Sequence, residues 1–365
     1  MSSYDRVRDE YIEQIRAPFC SIYQVGAVGA PGISDLDLFV VLGNGQKARF
    51  SDFGVHALNK DQRYILMHEP WVVNEQIFKN LHKIFPFFDI KHVSGHKLDN
   101  DIPPMSSASD IDAFIFHMEY ILTKMPRSLI DLLHSGQTIS ARNTLVLINS
   151  LKHSVELFRL AGGEVPGRWD RYFERFEQFR KSVPGESDHS LLLLRKYLYQ
   201  AIFISFGLIR LTIDLLPKYS ERRHPLEQGM LNGFFSARLV ANWTLSEALE
   251  YALCRYRYGG RWLVLPVEFA CFWSFVASYE STIGNFMARN LTAKVRVQFY
   301  NEDVIKRHLD VLDEYIEFCR NELGYRGSIW LTLGAGDSSF VRIGRYIKIQ
   351  LTRFRRTCQQ FGLEL

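Results

Sequence analysis

The sequence predicts an α+β protein, in which a small mixed-sheet domain precedes a large all-α helical region. Residues 1–100 alternate short apolar runs with stretches of helical spacing, which is the pattern of strands separated by helices. Beyond them, apolar residues recur at helical spacing almost throughout. A chain of 365 residues is long for a single core. We therefore expect domains at 1–100 and 101–365, with the second dividing into two bundles near 217–225.

The elements of the first domain follow from local patterns. A polar amphipathic stretch predicts a helix over 3–16, and Ser21–Val25 predicts a short strand. Leu36–Leu42 is nearly all apolar, which is typical of a strand buried on both faces. The remaining patterns predict a short helix over Phe53–Asn59, a strand over Arg63–Met67, a helix over Val72–Phe85 and a strand over Phe87–Val93.

Asp99–Ser109 is rich in proline and serine, which predicts a linker. The long elements after it are helices, expected over Arg142–Leu160, Ser190–Leu216 and Val304–Leu323. A last helix has an apolar stripe on one face and four arginines on another. We interpret that basic face as solvated, with RNA binding as the alternative; its residues are Arg342, Arg345, Arg353 and Arg356.

Charge and cysteine content favour a cytoplasmic protein. The net charge of +4 is small for a protein that holds duplex nucleic acid through its phosphates. Five scattered cysteines without a CxxC pair indicate reduced thiols, and the N-terminus has no apolar signal segment. Leu191–Leu216 and Trp262–Tyr279 are interrupted by charged residues or proline. We expect both to be buried helices, without a membrane span.

The most informative segment joins the first two predicted strands. Gly26, Gly29 and Gly32 lie in a loop of small residues. Glycine lets backbone N–H groups approach an anion closely, so such a loop is suited to phosphate.

Two aspartates follow that loop. Successive strand residues point to opposite faces, so Asp35 and Asp37 should share one face while Leu36 enters the core. Adjacent carboxylates repel, and a divalent cation such as Mg²⁺ or Mn²⁺ removes that cost. Two-metal phosphoryl transfer usually needs a third carboxylate on a neighbouring strand, for which Asp89 is the candidate.

These motifs resemble the DNA polymerase β-like nucleotidyltransferase superfamily over roughly residues 18–93. Gly26-Ala27 stands at the family's first motif, where Ala27 replaces the usual Ser or Gly. Asp35-Leu36-Asp37-Leu38 stands at the second, nine positions after Gly26. Asp89 stands at the third by position.

The resemblance implies transfer of an NMP group from an NTP, such as ATP, to a hydroxyl. It implies metal ligation by Asp35, Asp37 and Asp89, which would also be the catalytic residues. Nucleotide contacts are expected from Gly26, Ala27 and Ser34. A helical domain often completes the nucleotide cleft in this superfamily, which points to Lys152 on the Arg142–Leu160 helix.

The sequence is compatible with three functions. A small-molecule or sugar-like acceptor is favoured, because the chain has no recognisable nucleic-acid module and little positive charge. An RNA or tRNA nucleotidyltransferase using the basic last helix is the second hypothesis. A catalytically degenerate protein that binds nucleotide or a partner is the third, because Ala27 lacks the hydroxyl that would contact a phosphate.

Overall fold

The computed structural model describes most of the chain. The described residues are 3–325 apart from 27, 32, 55–57, 67–68, 86–88, 99–107, 124, 135–140, 183–187, 223–227, 233–235, 256–261 and 293–294. Ala27, most of the predicted linker and the predicted helix with the four arginines therefore lie outside the described residues.

The N-terminal region is a four-stranded mixed sheet with short helices. The strand order is β3-β2-β1-β4, in which β2 pairs antiparallel with β1 and parallel with β3, and β1 pairs antiparallel with β4. The elements are α1 (Ser3–Gln14), β1 (Ser21–Val25), β2 (Asp37–Leu42), α2 (Lys60–Ile65), β3 (Trp71–Asn74), α3 (Glu75–Lys79) and β4 (Ile90–Gly95).

Strand β2 is an inner strand because its residues after Asp37 have no polar side chain to expose. Every residue from Leu38 to Leu42 is at most 1% exposed, as expected for a strand covered on both faces. The strands predicted at Ser21–Val25 and Leu36–Leu42 are thus confirmed, the second beginning at Asp37.

The second region is mainly helical, which confirms the α+β class. Its helices are α4 (Asp110–Thr123), α5 (Arg127–His134), α6 (Ala141–Leu160), α7 (Gly167–Ser182), α8 (Asp188–Leu215), α9 (Leu245–Glu250), α10 (Phe269–Ser278), α11 (Thr282–Asn290) and α12 (Glu302–Glu317).

This region is not purely helical, which corrects the all-α prediction. Short strands form a two-stranded sheet, β5-β9, and a three-stranded sheet, β6-β7-β8. The stretch Trp262–Tyr279 was expected to be one helix, but it is a strand followed by α10. The strands are β5 (Ser220–Arg222), β6 (Gln228–Asn232), β7 (Ser236–Val240), β8 (Trp262–Pro266) and β9 (Val297–Phe299).

Two predictions in the first region are wrong in part. The strand predicted over Arg63–Met67 is wrong at 63–65, which belong to α2, because Asn59 and Gln62 form reciprocal side-chain to backbone hydrogen bonds that start this helix. The helix predicted over Val72–Phe85 begins later. The first three residues of the predicted range belong to β3. The side chain of Asn74 then caps α3 by accepting a hydrogen bond from the backbone N–H of Ile77.

Helix α12 returns to the sheet from the far end of the described chain. The Nδ1 of His308 donates to the carbonyl oxygen of Lys83 at 2.6 Å, and the rings of Phe85 and Tyr315 meet edge to face at 5.6 Å. The buried apolar residues form one continuous cluster from Tyr4 to Leu323. The two regions therefore share a core.

Helix α8 is the most apolar long helix of the described residues. By length and composition alone, Ser190–Lys218 meets the criterion for a membrane-crossing helix, and 56% of its most apolar window is buried inside the protein. A core helix of a soluble protein passes the same criterion.

Candidate functional site

The two aspartates flank a buried leucine at the start of the central strand. Leu36 is 3% exposed, and its backbone N–H donates to the carbonyl oxygen of Ile65 at 3.0 Å. Asp35 and Asp37 are half-buried. Burial therefore alternates over residues 35–37, with Leu36 in the core and a half-buried aspartate before and after it.

The loop before the aspartates closes in a compact turn. Gly26 has a φ of 66°, the left-handed region that favours glycine. The backbone N–H of Ser34 donates to the carbonyl oxygen of Ala30 at 2.9 Å, and the N–H of Ala30 donates to the Ser34 hydroxyl at 3.1 Å. Because Ser34 is 5% exposed, its hydroxyl lies beneath the loop and holds it.

Arg142, at the N-terminus of α6, binds this loop from the helical region. Its guanidinium donates to the carbonyl oxygens of Ile33 at 2.9 Å, of Ser34 at 3.1 Å, and of Tyr64. It also lies 3.9 Å from the ring centroid of Tyr64, a cation–π contact. A cation at a helix N-terminus is disfavoured by the helix dipole. The carbonyl contacts therefore account for its placement.

Arg180, near the end of α7, is a second arginine at the loop. It is 7% exposed, and its Nη2 donates to the Ser34 hydroxyl at 2.9 Å. Its Nη1 donates to Asn149 Oδ1 at 3.2 Å and lies 3.5 Å from the Glu177 carboxylate. The Nε is buried and makes no hydrogen bond with the described residues. A buried arginine thus places positive charge directly behind the loop that precedes the aspartates.

Tyr120 of α4 is close enough to the second aspartate for its charge to affect the phenol. Burial, and then the negative charge of Asp37, raise the pKa of Tyr120 above its usual value. The phenol consequently keeps its proton at neutral pH.

Asp89 is not brought to the pair. It is exposed and precedes β4, and its carbonyl oxygen accepts from the N–H of Gly26 at 2.8 Å. Val25 is in register with both Asp37 and Ile90, so β1 separates Asp89 from β2 by two strand spacings, about 10 Å. Alternation along the strand also assigns Asp89 and Asp37 to opposite faces. The geometry does not support the predicted third ligand.

Lys152 also lies apart from the loop. Its ammonium is 3.9 Å from Glu156, and it lines a groove of about 340 Å³ between α6 and α7. Helix α6 does contact the loop before Asp35, but through Arg142 in its first turn and not through Lys152. A larger cavity, of about 1200 Å³, lies between the end of α1, residues 49–54 and residues 321–325.

Three site residues were not predicted: Tyr120, Arg142 and Arg180. Only Arg180 carries a sequence signal, because it continues the apolar stripe of α7 that runs through Trp169, Phe173 and Phe176. A charged residue at such a position needs buried partners. For Tyr120 and Arg142 the contacts depend on tertiary packing.

Two carboxylates are the metal donors that this site offers. Among the described residues, no group of three or more His, Cys, Asp or Glu is arranged to hold a metal ion. Mg²⁺ is commonly bound by one or two carboxylates and completes its coordination with water and substrate phosphates. The pair at Asp35 and Asp37 fits that requirement.

Comparison of the chain with protein-family models, curated proteins and solved structures finds no match.

Proposed function

We propose that the protein is a metal-dependent nucleotidyltransferase that moves an NMP group from an NTP to a hydroxyl of a small-molecule or sugar-like acceptor. One observation carries the proposal. Asp35 and Asp37 flank a buried leucine at the start of the central strand, directly after a loop that two arginines of the helical region hold in place.

The charges suit a nucleotide and a metal ion. Asp35 and Asp37 would hold Mg²⁺, which neutralises the phosphates and aligns the attacking and leaving oxygens when bound. Phosphate oxygens would be bound by loop N–H groups other than those of Gly26, Ala30 and Ser34, which already donate within the protein. The buried cation of Arg180 favours an anion above this loop.

Nucleotide stabilisation tests the metal pair. We expect NTP and Mg²⁺ together to raise the melting temperature of the wild type, by the equivalent of about 2.7 kcal/mol at a hundred times Kd. The variant Asp35→Asn with Asp37→Asn should lose this response. Its melting temperature without ligand should be equal or higher, because repulsion between the carboxylates is removed.

Asp214→Asn is the matched control, because that carboxylate is exposed at the end of α8. It should respond to NTP and Mg²⁺ as the wild type does. A large loss of stability without ligand in the double variant would identify the pair as structural and contradict the proposal.

The acceptor requires a separate measurement. A mass-shift screen of metabolites and total RNA, with each NTP in turn, would detect the adduct. For a small-molecule acceptor, replacing Arg342, Arg345, Arg353 and Arg356 with Gln should leave turnover nearly unchanged. RNA that co-purifies with the wild type, and is lost from this variant, would favour the RNA acceptor.

A second candidate is nucleotide binding without turnover. The described residues supply two acids at the site and no group of three, which favours this alternative. The two candidates differ in one result. Stabilisation by NTP and Mg²⁺, with no pyrophosphate released for any acceptor, would select binding alone.

A further inference from the structure

Helix α8 has an apolar ridge that faces solvent. Leu192, Tyr199 and Phe203 are 69%, 44% and 51% exposed, and they are three of the six large exposed apolar residues of the described chain. Their spacing of seven and four places them on one side of the helix. The exposed Lys196 lies between them on the same ridge.

Helix α7 adds a row of cations. Arg168, Arg171 and Arg175 are exposed, and their spacing of three and four places them on one face. The opposite face of α7 is buried through Trp169 and Phe173, among others.

Packing between the helices joins these two rows. The Tyr197 hydroxyl donates to the carbonyl oxygen of Arg175 at 3.2 Å, and the Tyr172 hydroxyl donates to the carbonyl oxygen of Tyr197 at 2.8 Å. Farther along, Gly207 lies against the Trp169 ring. The helices are therefore antiparallel, and the arginine row borders the apolar ridge.

The acidic residues of α7 lie on another side. Asp170, Glu174 and Glu177 line the groove toward α6. Within the part of the chain that the structure describes, the three arginines take part in no ion pair. Their positive charge thus stays available at the surface.

We propose that this α7–α8 face binds the surface of an anionic lipid bilayer. Leucine and aromatic side chains beside lysine and arginine are the composition of helices that lie in a membrane interface. The cations are attracted to anionic headgroups, and the apolar ridge gains free energy by entering the acyl boundary. The opposite side of α8 remains in the core through Leu194, Leu198 and Ile202, so the helix lies on the membrane and does not cross it.

The apolar ridge favours lipid over RNA. Leu192, the most exposed of the three, offers no ring for base stacking, whereas it contributes fully to lipid burial. The arginine-rich segment 342–356 is positively charged, as is the α7–α8 face. Because like charges repel, binding of this segment to the face is disfavoured. The proposal does not depend on nucleotidyl transfer.

Vesicle co-sedimentation of the full chain tests the proposal. The wild type should bind phosphatidylcholine vesicles that contain phosphatidylserine, more strongly at low salt, and should bind pure phosphatidylcholine weakly. We expect Leu192→Ser with Phe203→Ser, and separately Arg171→Gln with Arg175→Gln, each to weaken binding by about tenfold or more.

The matched controls are exposed residues elsewhere. Tyr300→Ser, at 60% exposure, and Arg289→Gln with Arg307→Gln should bind as the wild type does. Absence of vesicle binding, or equal binding by face and control variants, would overturn the proposal. If vesicles do not bind, two other results would also overturn the proposal. One is binding of an RNA homopolymer that only the face variants lose, and the other is a wild-type dimer that only the face variants dissociate.

Discussion

At the scale of single residues, Ser34 connects the loop to the helical region. Its hydroxyl accepts hydrogen bonds from Arg180 and Ala30, and its carbonyl oxygen accepts from Arg142 and from the Tyr4 hydroxyl. The sequence predicts a nucleotide contact for Ser34. Its burial favours a positioning role, because the hydroxyl is already engaged below the loop.

Ser34→Ala tests this role. Losing the hydroxyl removes an acceptor from a buried arginine, so we expect unfolding to become easier by about 1–3 kcal/mol in urea melts. Stabilisation by NTP and Mg²⁺ should weaken as well, because the loop before Asp35 loses its anchor.

The control for this substitution is Ser182→Ala. Ser182 is exposed and its hydroxyl donates only to the carbonyl oxygen of Phe179, so both measurements should stay near wild type. If Ser34→Ala weakened nucleotide binding with unchanged stability, a direct contact with the nucleotide would explain it better than positioning.

At the scale of elements, α12 is fixed to the sheet region and to α4 by a buried ion pair. His308 donates from Nδ1 to Lys83 and from Nε2 to the Glu119 carboxylate at 2.8 Å, which requires the charged imidazolium. Burial lowers the pKa of His308, but the Glu119 charge and the hydrogen bonds to Glu119 and Lys83 outweigh it. The net pKa is raised above its usual value.

This raised pKa predicts a pH dependence. The pair's contribution to the free energy of unfolding is fully present below the pKa of His308 in the unfolded chain, about 6.5. It is lost as pH rises through the pKa of His308 in the folded protein. The free energy of unfolding should therefore fall with rising pH, by up to about 1.4 kcal/mol per pH unit from this group. Urea melts across a pH series of the wild type and of His308→Gln measure it.

The difference between the two pH series isolates His308 from other titrating groups. Parallel curves would contradict the assignment. Glu119→Gln removes one partner of the buried pair, so it should cost about 3–5 kcal/mol at neutral pH. The same substitution should also reduce the slope of the free energy of unfolding against pH.

The sequence predicts best those elements whose own pattern of apolar residues determines which side chains are buried. Ser21–Val25 is a strand, and Arg142–Leu160 is a helix extended by one residue. The strand predicted at Arg63–Met67 failed because a reciprocal Asn59–Gln62 cap outweighed strand propensity. At the site, alternation around Leu36 was predictable. The approach of Arg142 and Arg180 was not, since it depends on how helices distant in sequence pack against the loop.

At the scale of the whole molecule, the proposed boundary near residue 100 does not divide the core. The buried cluster includes Tyr4, Phe39, Leu198 and Leu312 together. Unfolding of one region should therefore expose apolar surface of the other, so the two regions should unfold together.

Hydrogen exchange in Leu198→Ala measures this coupling. The substitution creates a cavity in α8, where Leu198 is 0% exposed, and should cost about 2–5 kcal/mol. We expect the amides of β2 to lose the same protection as those of α8. Leu192→Ala, at 69% exposure on the same helix, should change neither. Loss of protection confined to the helical region would indicate two independent domains.

The return of α12 to the sheet has a consequence for biosynthesis. The contact between Lys83 and His308 spans 225 residues. At 5–20 residues per second, the ribosome makes the second partner roughly 10 to 45 s after the first. During that interval the aromatic surface around Phe85 has no α12 to cover it, and exposed apolar surface on nascent chains is what chaperones bind. The protein should therefore depend on chaperones more than a chain whose sheet is completed by neighbouring elements.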